Sequence, residues 1–164
     1  MRYNPNSCHR RSTRLKGYDY TQPGAYFVTL CTHERALLFG EVVDGMMVLN
    51  PYGEIVRDEW FKTTAVRPNV RLEETEFVVM PNHIHGIIWI TDDVMVGATR
   101  RVAPTTGRVA TTMTPRGPVP QSIGAIIGQF KSAVTKRIHA LPNAGAIPIW
   151  QRNYYKTSSA TNEP

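Results

Sequence analysis

The chain has 164 residues, 41% of them hydrophobic and 20% charged, enough for one domain with its own core and short for two. No run of eighteen apolar residues occurs, the N-terminus lacks an apolar signal core, and the two cysteines, Cys8 and Cys31, form no CxxC pair; these features argue against a membrane span, a secretory leader, a disulfide scaffold and a four-thiolate zinc site, and a cytoplasmic protein with reduced thiols is expected. The net charge of +6 is segregated, with five Lys or Arg and no acid in residues 1–17, twelve of the thirteen acids in 18–93, and nine basic residues with no acid in 94–162, a distribution that attracts polyanions such as nucleic acid.

In chain order, residues 1–17 read as a basic arm carrying Arg2, Arg10, Arg11, Arg14 and Lys16. Pro23-Gly24 is a turn signal, and the β-branched and aromatic stretch Ala25 to Thr32 after it predicts the first strand. Glu41 to Val43 and Met46 to Leu49 flank Asp44-Gly45, a pair that tolerates positive φ and so predicts a two-residue hairpin. Asn50-Pro51 offers a side-chain cap and a proline at the first helical position, and Tyr52, Ile55, Val56 and Trp60 recur at helical spacing, so a helix is expected from about 51 to 65.

Glu76 to Met80 and His83 to Ile90 read as two antiparallel strands interrupted by Pro81-Asn82. Residues 91–120 turn to Gly, Pro, Thr and Arg without periodicity, which predicts a long flexible basic loop. Ser122 caps an expected helix whose stripe is Ile123, Ile126, Ile127, Phe130, Val134 and Ile138. Ile147 to Tyr155 reads as a final strand, and 156–164 as a polar tail. The resulting order, βαββαβ with a hairpin inserted after the first strand, predicts an α+β fold with a ferredoxin-like antiparallel sheet.

His83 and His85 lie two apart in an apolar strand, so both imidazoles face one side, about 6.6 to 6.8 Å apart along the backbone, within reach of one metal ion. Ile84 and Ile87 are expected on the opposite, core side. Two-residue histidine spacing also occurs in unrelated hydrolases and on exposed sheet faces, so HxH alone leaves those readings open.

The surrounding residues narrow the choice. Val79-Met-Pro-Asn-His-Ile-His-Gly-Ile-Ile-Trp89 resembles the HUH strand of the REP-associated tyrosine transposases, relatives of the single-tyrosine insertion-sequence transposases. Arg14-Leu-Lys-Gly-Tyr-Asp-Tyr20, Gly24 to Thr32 and Ile149-Trp-Gln-Arg-Asn-Tyr-Tyr155 extend the likeness in family order over most of 12–155. The resemblance implies an HUH-endonuclease-type domain over 18–155 that binds single-stranded or hairpin DNA, holds a divalent metal, Mg²⁺ or Mn²⁺, through His83 and His85, and cuts through a tyrosine that becomes linked to the 5′-phosphate. Arg10, Arg11, Arg14 and Lys16 are the expected DNA contacts.

The resemblance stops near the end of the chain. The family places its nucleophilic tyrosine, with a polar third metal ligand, on a helix after the Trp-Gln-Arg-Asn-Tyr-Tyr strand, whereas here Lys156 to Pro164 contains neither Tyr nor His. A C-terminally truncated transposase without its nucleophile is therefore expected, paired with itself or with a full-length relative. The catalytic residue is left open, since Tyr154 and Tyr155 do not match the family's nucleophile. The competing readings are a non-catalytic DNA-binding remnant and an unrelated HxH metal hydrolase recruiting His139.

Overall fold

The computed structural model describes residues 19–92, 119–142 and 144–152, and the backbone of Tyr155–Ser159. The basic arm over 1–17, and the basic loop apart from its ends, lie outside the described residues. Among the described residues, seven strands and two α-helices follow one another as β1 (Gly24–Cys31), β2 (Gly40–Val43), β3 (Met46–Leu49), α1 (Pro51–Val66), β4 (Val70–Arg71), β5 (Phe77–Met80), β6 (His83–Ile90), α2 (Ile123–His139) and β7 (Tyr155–Ser159). β6 and β1 are the central pair of an antiparallel sheet, with β7 beyond β1, and β4 and β5 pairing with the two ends of β6 on its other side. This is the ferredoxin-like α+β plan, with β2 and β3 as the inserted hairpin.

The local signals act as their chemistry requires. Asp44 and Gly45 both take positive φ, 50° and 79°, as a tight hairpin turn between twisted strands demands. Asn50 Oδ1 accepts from the backbone N–H groups of Tyr52 and Gly53 at 3.0 Å each, a cap worth about 1 kcal/mol. Ser122 caps α2 through the Ala125 N–H, and all six residues of the expected α2 stripe are buried.

One core lies between the helices and one side of the sheet. Tyr26, Val28 and Leu30 of β1 and Ile84, Ile88 and Ile90 of β6 meet Ile55, Val56 and Trp60 of α1 and the α2 stripe. Trp60 stacks on Phe77 at 4.7 Å and meets Phe130 edge-on at 5.4 Å. Arg137 of α2 ties the helices together by bonding Glu59 at 2.8 Å and Asp58 at 3.3 Å on α1.

Two expectations change. The final strand is Tyr155–Ser159, later than the expected Ile147 to Tyr155, and it takes in residues that read as polar tail. Residues 149–151 do run beside the end of β1, through His33 N–H to Ile149 O and Gln151 N–H to Cys31 O, both 2.9 Å, but Thr32 and Trp150 form only an isolated bridge there. Between that bridge and the Thr29–Tyr155 pair the register slips by two residues. A strand that ends a sheet needs only backbone groups, so polarity does not prevent pairing, and Pro148 deprives the earlier segment of a donor. β4, a two-residue strand, had no pattern long enough to announce it. Among the described residues no helix is long and apolar enough to cross a membrane.

Candidate metal centre on the open face of the sheet

Strand alternation places Ile84, Gly86, Ile88 and Ile90 of β6 inward, leaving His83, His85, Ile87 and Trp89 on the side away from the helices. Ile84 faces the core as expected. Ile87 does not: an odd-numbered residue on this strand shares the histidine side, and it pairs with Phe27, which is 41% exposed. Across the pairing, Cys31 stands opposite His83 and Thr29 opposite His85.

The two imidazole rings are 4.7 Å apart between centroids and nearly perpendicular. Each is held through Nδ1. His85 Nδ1 is 2.8 Å from the Thr29 hydroxyl, and His83 Nδ1 is 2.7 Å from Asn82 Oδ1. The Asn82 amide N–H reaches the Arg35 carbonyl at 3.4 Å, which fixes the amide orientation. Its carbonyl oxygen can only accept, so the proton of neutral His83 sits on Nδ1 and the Nε2 lone pair is free to bind a cation. Burial pushes the His83 imidazole below its ordinary value, and His85 and the Arg35 guanidinium act in the same direction. A neutral imidazole is the form that ligates metal.

These side chains line a hollow of about 360 Å³ with Thr29, Cys31 and Arg35. Arg35 reaches it from a 3₁₀ turn after β1 in which Glu34 and Arg35 both adopt left-handed backbone, φ 53° and 57°. Non-glycine residues hold that conformation at a cost of order 1 kcal/mol or more, and such strain gathers at working sites. Thr29, Cys31, Arg35 and Asn82 escaped the sequence reading. Strand alternation could have found the first two once β1 and β6 were paired.

His83 and His85 are thus brought together and present two nitrogen donors. No cluster of three or more His, Cys, Asp or Glu placed to hold a metal exists among the described residues. His139 is not a third donor: it ends α2, and its Nε2 donates to the Ile147 carbonyl at 2.9 Å, outside the hollow. Two imidazoles in an otherwise open hollow fit a cation completed by water and phosphate oxygens, a set that suits Mn²⁺ better than Mg²⁺ on ligand grounds. Arg10, Arg11, Arg14 and Lys16 lie outside the described residues. Tyr155 lies on β7, Tyr154 is outside the described residues, and no described tyrosine lines the hollow.

No protein-family model matches the chain. Among solved structures, it resembles a REP-associated tyrosine transposase bound to a REP hairpin, with a TM-score of 0.50 and 17% identity over 90% of this chain. The chain spans 62% of that transposase's length, and the likeness is one of fold. A candidate transposase from Deinococcus radiodurans R1 aligns over 92% of the chain and 88% of its own at a TM-score of 0.43 and 17% identity. An uncharacterized protein of Haemophilus influenzae Rd is 38% identical over 155 residues, which are 94% of this chain and 81% of that protein. With that identity over nearly its whole length, the chain belongs to the same family as the Haemophilus influenzae protein.

Proposed function

We propose that the chain is a DNA-binding protein of transposase type, in which His83 and His85 hold one divalent cation, Mg²⁺ or Mn²⁺, against a phosphate of single-stranded or hairpin DNA. One observation carries the reading: both imidazoles stand on the open side of the central strand, tethered through Nδ1, in a hollow that Arg35 also lines. The ferredoxin-like fold shared with a transposase solved on a REP hairpin supports it.

Neutral imidazoles bring no charge, so the cation's two charges remain available to the phosphate. When bound, it supplies Lewis-acid polarisation of a phosphate oxygen. Arg35 offers a planar, permanently charged fork to the same or the next phosphate. Arg10, Arg11, Arg14 and Lys16 of the arm add backbone contacts in this reading. Cutting by tyrosine attack needs a hydroxyl in the hollow, and no described tyrosine lies there. Within this reading the hollow seats the phosphate of bound DNA, and none of the described tyrosine side chains is placed to attack it.

The test is electrophoresis of the protein with end-labelled hairpin DNA and Mn²⁺, native for binding and denaturing for covalent adducts. A native shift without an adduct is expected. No native shift at low salt would overturn the proposed function. An adduct in the wild type that is lost in a Tyr154→Phe, Tyr155→Phe double variant would show that one of these tyrosines cuts.

A further inference from the structure

The open side of the sheet carries more than the histidines. Running away from the hollow, its rungs are Cys31 with His83, Thr29 with His85, Phe27 with Ile87, and Ala25 with Trp89. Phe27 and Trp89 are 41% and 39% exposed, a large outlay of aromatic surface to water. Both rings are held in place. Phe27 stacks on the His85 imidazole at 5.4 Å with an 18° tilt. The Trp89 indole N–H donates to Glu76 Oε2 at 2.7 Å, and its opposite neighbour is the small Ala25, which leaves the ring room beside β1. On the other flank, Arg71 of β4 is the register partner of Trp89.

We infer that Phe27 and Trp89 form a stacking platform for the unpaired bases of single-stranded DNA whose neighbouring phosphate sits in the histidine hollow. The inference rests on the function proposed above and adds to it the residues that seat the bases. Each rung is two residues, about 6.6 to 6.8 Å, from the next, a step that an extended nucleotide chain can span. Aromatic faces accept any base, so the platform grips single strands with little sequence preference. Cations stand towards both ends, Arg35 at the hollow and Arg71 beside Trp89. Of the nearby acids, Glu76 is engaged by the indole and Glu73 by Arg71 at 3.2 Å. A protein partner would also cover an apolar face, but continuity with the histidine hollow and flanking arginines favours a nucleic acid strand. Duplex DNA keeps its bases stacked on one another and has no free faces to offer.

Tryptophan fluorescence gives a direct readout. Of the chain's three tryptophans, Trp60 is 2% exposed and the Trp150 indole nitrogen is buried, which leaves Trp89 as the exposed reporter. The full chain is titrated, with Mn²⁺ present, with a labelled hairpin bearing a thymidine tail, and separately with the same hairpin bearing an abasic tail of equal phosphate count. The thymidine tail should quench the emission and bind at least about fivefold tighter by anisotropy than the abasic tail. Phe27→Leu and Trp89→Leu should each shrink that ratio towards one, with circular dichroism showing the variants folded. Equal affinity of the wild type for both tails would remove the platform while leaving DNA binding intact. Binding of neither probe would overturn the function itself. A Trp89 that iodide cannot quench in the free protein, in a chain that sediments as a dimer, would show the face covered by a second copy and would also overturn the inference.

Discussion

Gly86 and Trp60 contend for the same space: a Cβ on residue 86 would stand 2.4 Å from Trp60 Cζ2 and 3.2 Å from Phe77 Cδ2. The glycine that follows the two histidines is thus the point where the site-bearing strand lets the α1 indole approach its backbone closely. Gly86→Ala should destabilise the protein by about 1–3 kcal/mol through overpacking, lowering the melting temperature by several degrees. Gly86→Ala combined with Trp60→Phe should lose less than the sum of the single changes. An unchanged melting temperature in the single variant would show that the indole has room to move aside.

In the proposed function, Thr29 and Asn82 act on the cation through the imidazole rings they hold. Replacing either tether should loosen its imidazole and weaken Mn²⁺ binding by about tenfold or more without unfolding the chain. Thr29→Val keeps the β-branched shape and removes the hydroxyl, so calorimetry on that variant separates orientation from packing. Parent-like affinity in Thr29→Val would mean that packing alone orients His85.

The helices, the hairpin and the central strands were legible because each carries a local chemical signal: the Asn50 cap, the Asp44-Gly45 turn, and the α2 stripe whose members are all buried. The histidine pair was legible for the same reason, since period-two alternation puts both rings on one side. Part of what escaped depends on cross-strand register. Nothing in the sequence alone tells which β1 residues face His83 and His85, so Thr29 and Cys31 emerged only with the pairing. Ile87 was misplaced because its apolarity suggested the core, while alternation puts it on the open side. β7 was placed too early because Trp150 and its neighbours have stronger strand chemistry than Lys156 to Ser159, yet the slip in register gives the regular pairing to the later residues.

Lys131 supplies a pH test of stability. Its ammonium donates to the Gln151 carbonyl at 3.0 Å and lies 5.7 Å from the Trp150 ring centroid, and burial lowers its pKa to about 8 from 10.5. Between these values the unfolded chain binds more protons at this position than the folded one, so the residue's contribution makes stability rise with pH from about 8 to about 10.5. Below about 8 both states carry the proton and the contribution is flat. Denaturant titrations of Lys131→Met across that window should show a smaller rise than the parent. Parallel curves would place the ammonium in contact with water.

The arm is tested by salt. If Arg10, Arg11 and Arg14 each meet a phosphate, replacing all three with alanine should flatten the slope of log affinity against log salt by roughly two units, at about 0.7 per single-strand contact. An unchanged slope would remove the arm from the interface.

Nitrogen coupling to bound Mn²⁺ tests the paired-histidine centre most directly. Electron–nuclear double resonance on the protein with Mn²⁺ and hairpin DNA should show ¹⁴N coupling from two imidazoles and ³¹P coupling from a phosphate. A His83→Ala, His85→Ala double variant should lose the ¹⁴N signal, along with most of the heat of Mn²⁺ binding. Mn²⁺ bound to the wild-type complex with ³¹P coupling but no ¹⁴N coupling would contradict the account, because the cation would then belong to the DNA and not to the histidines.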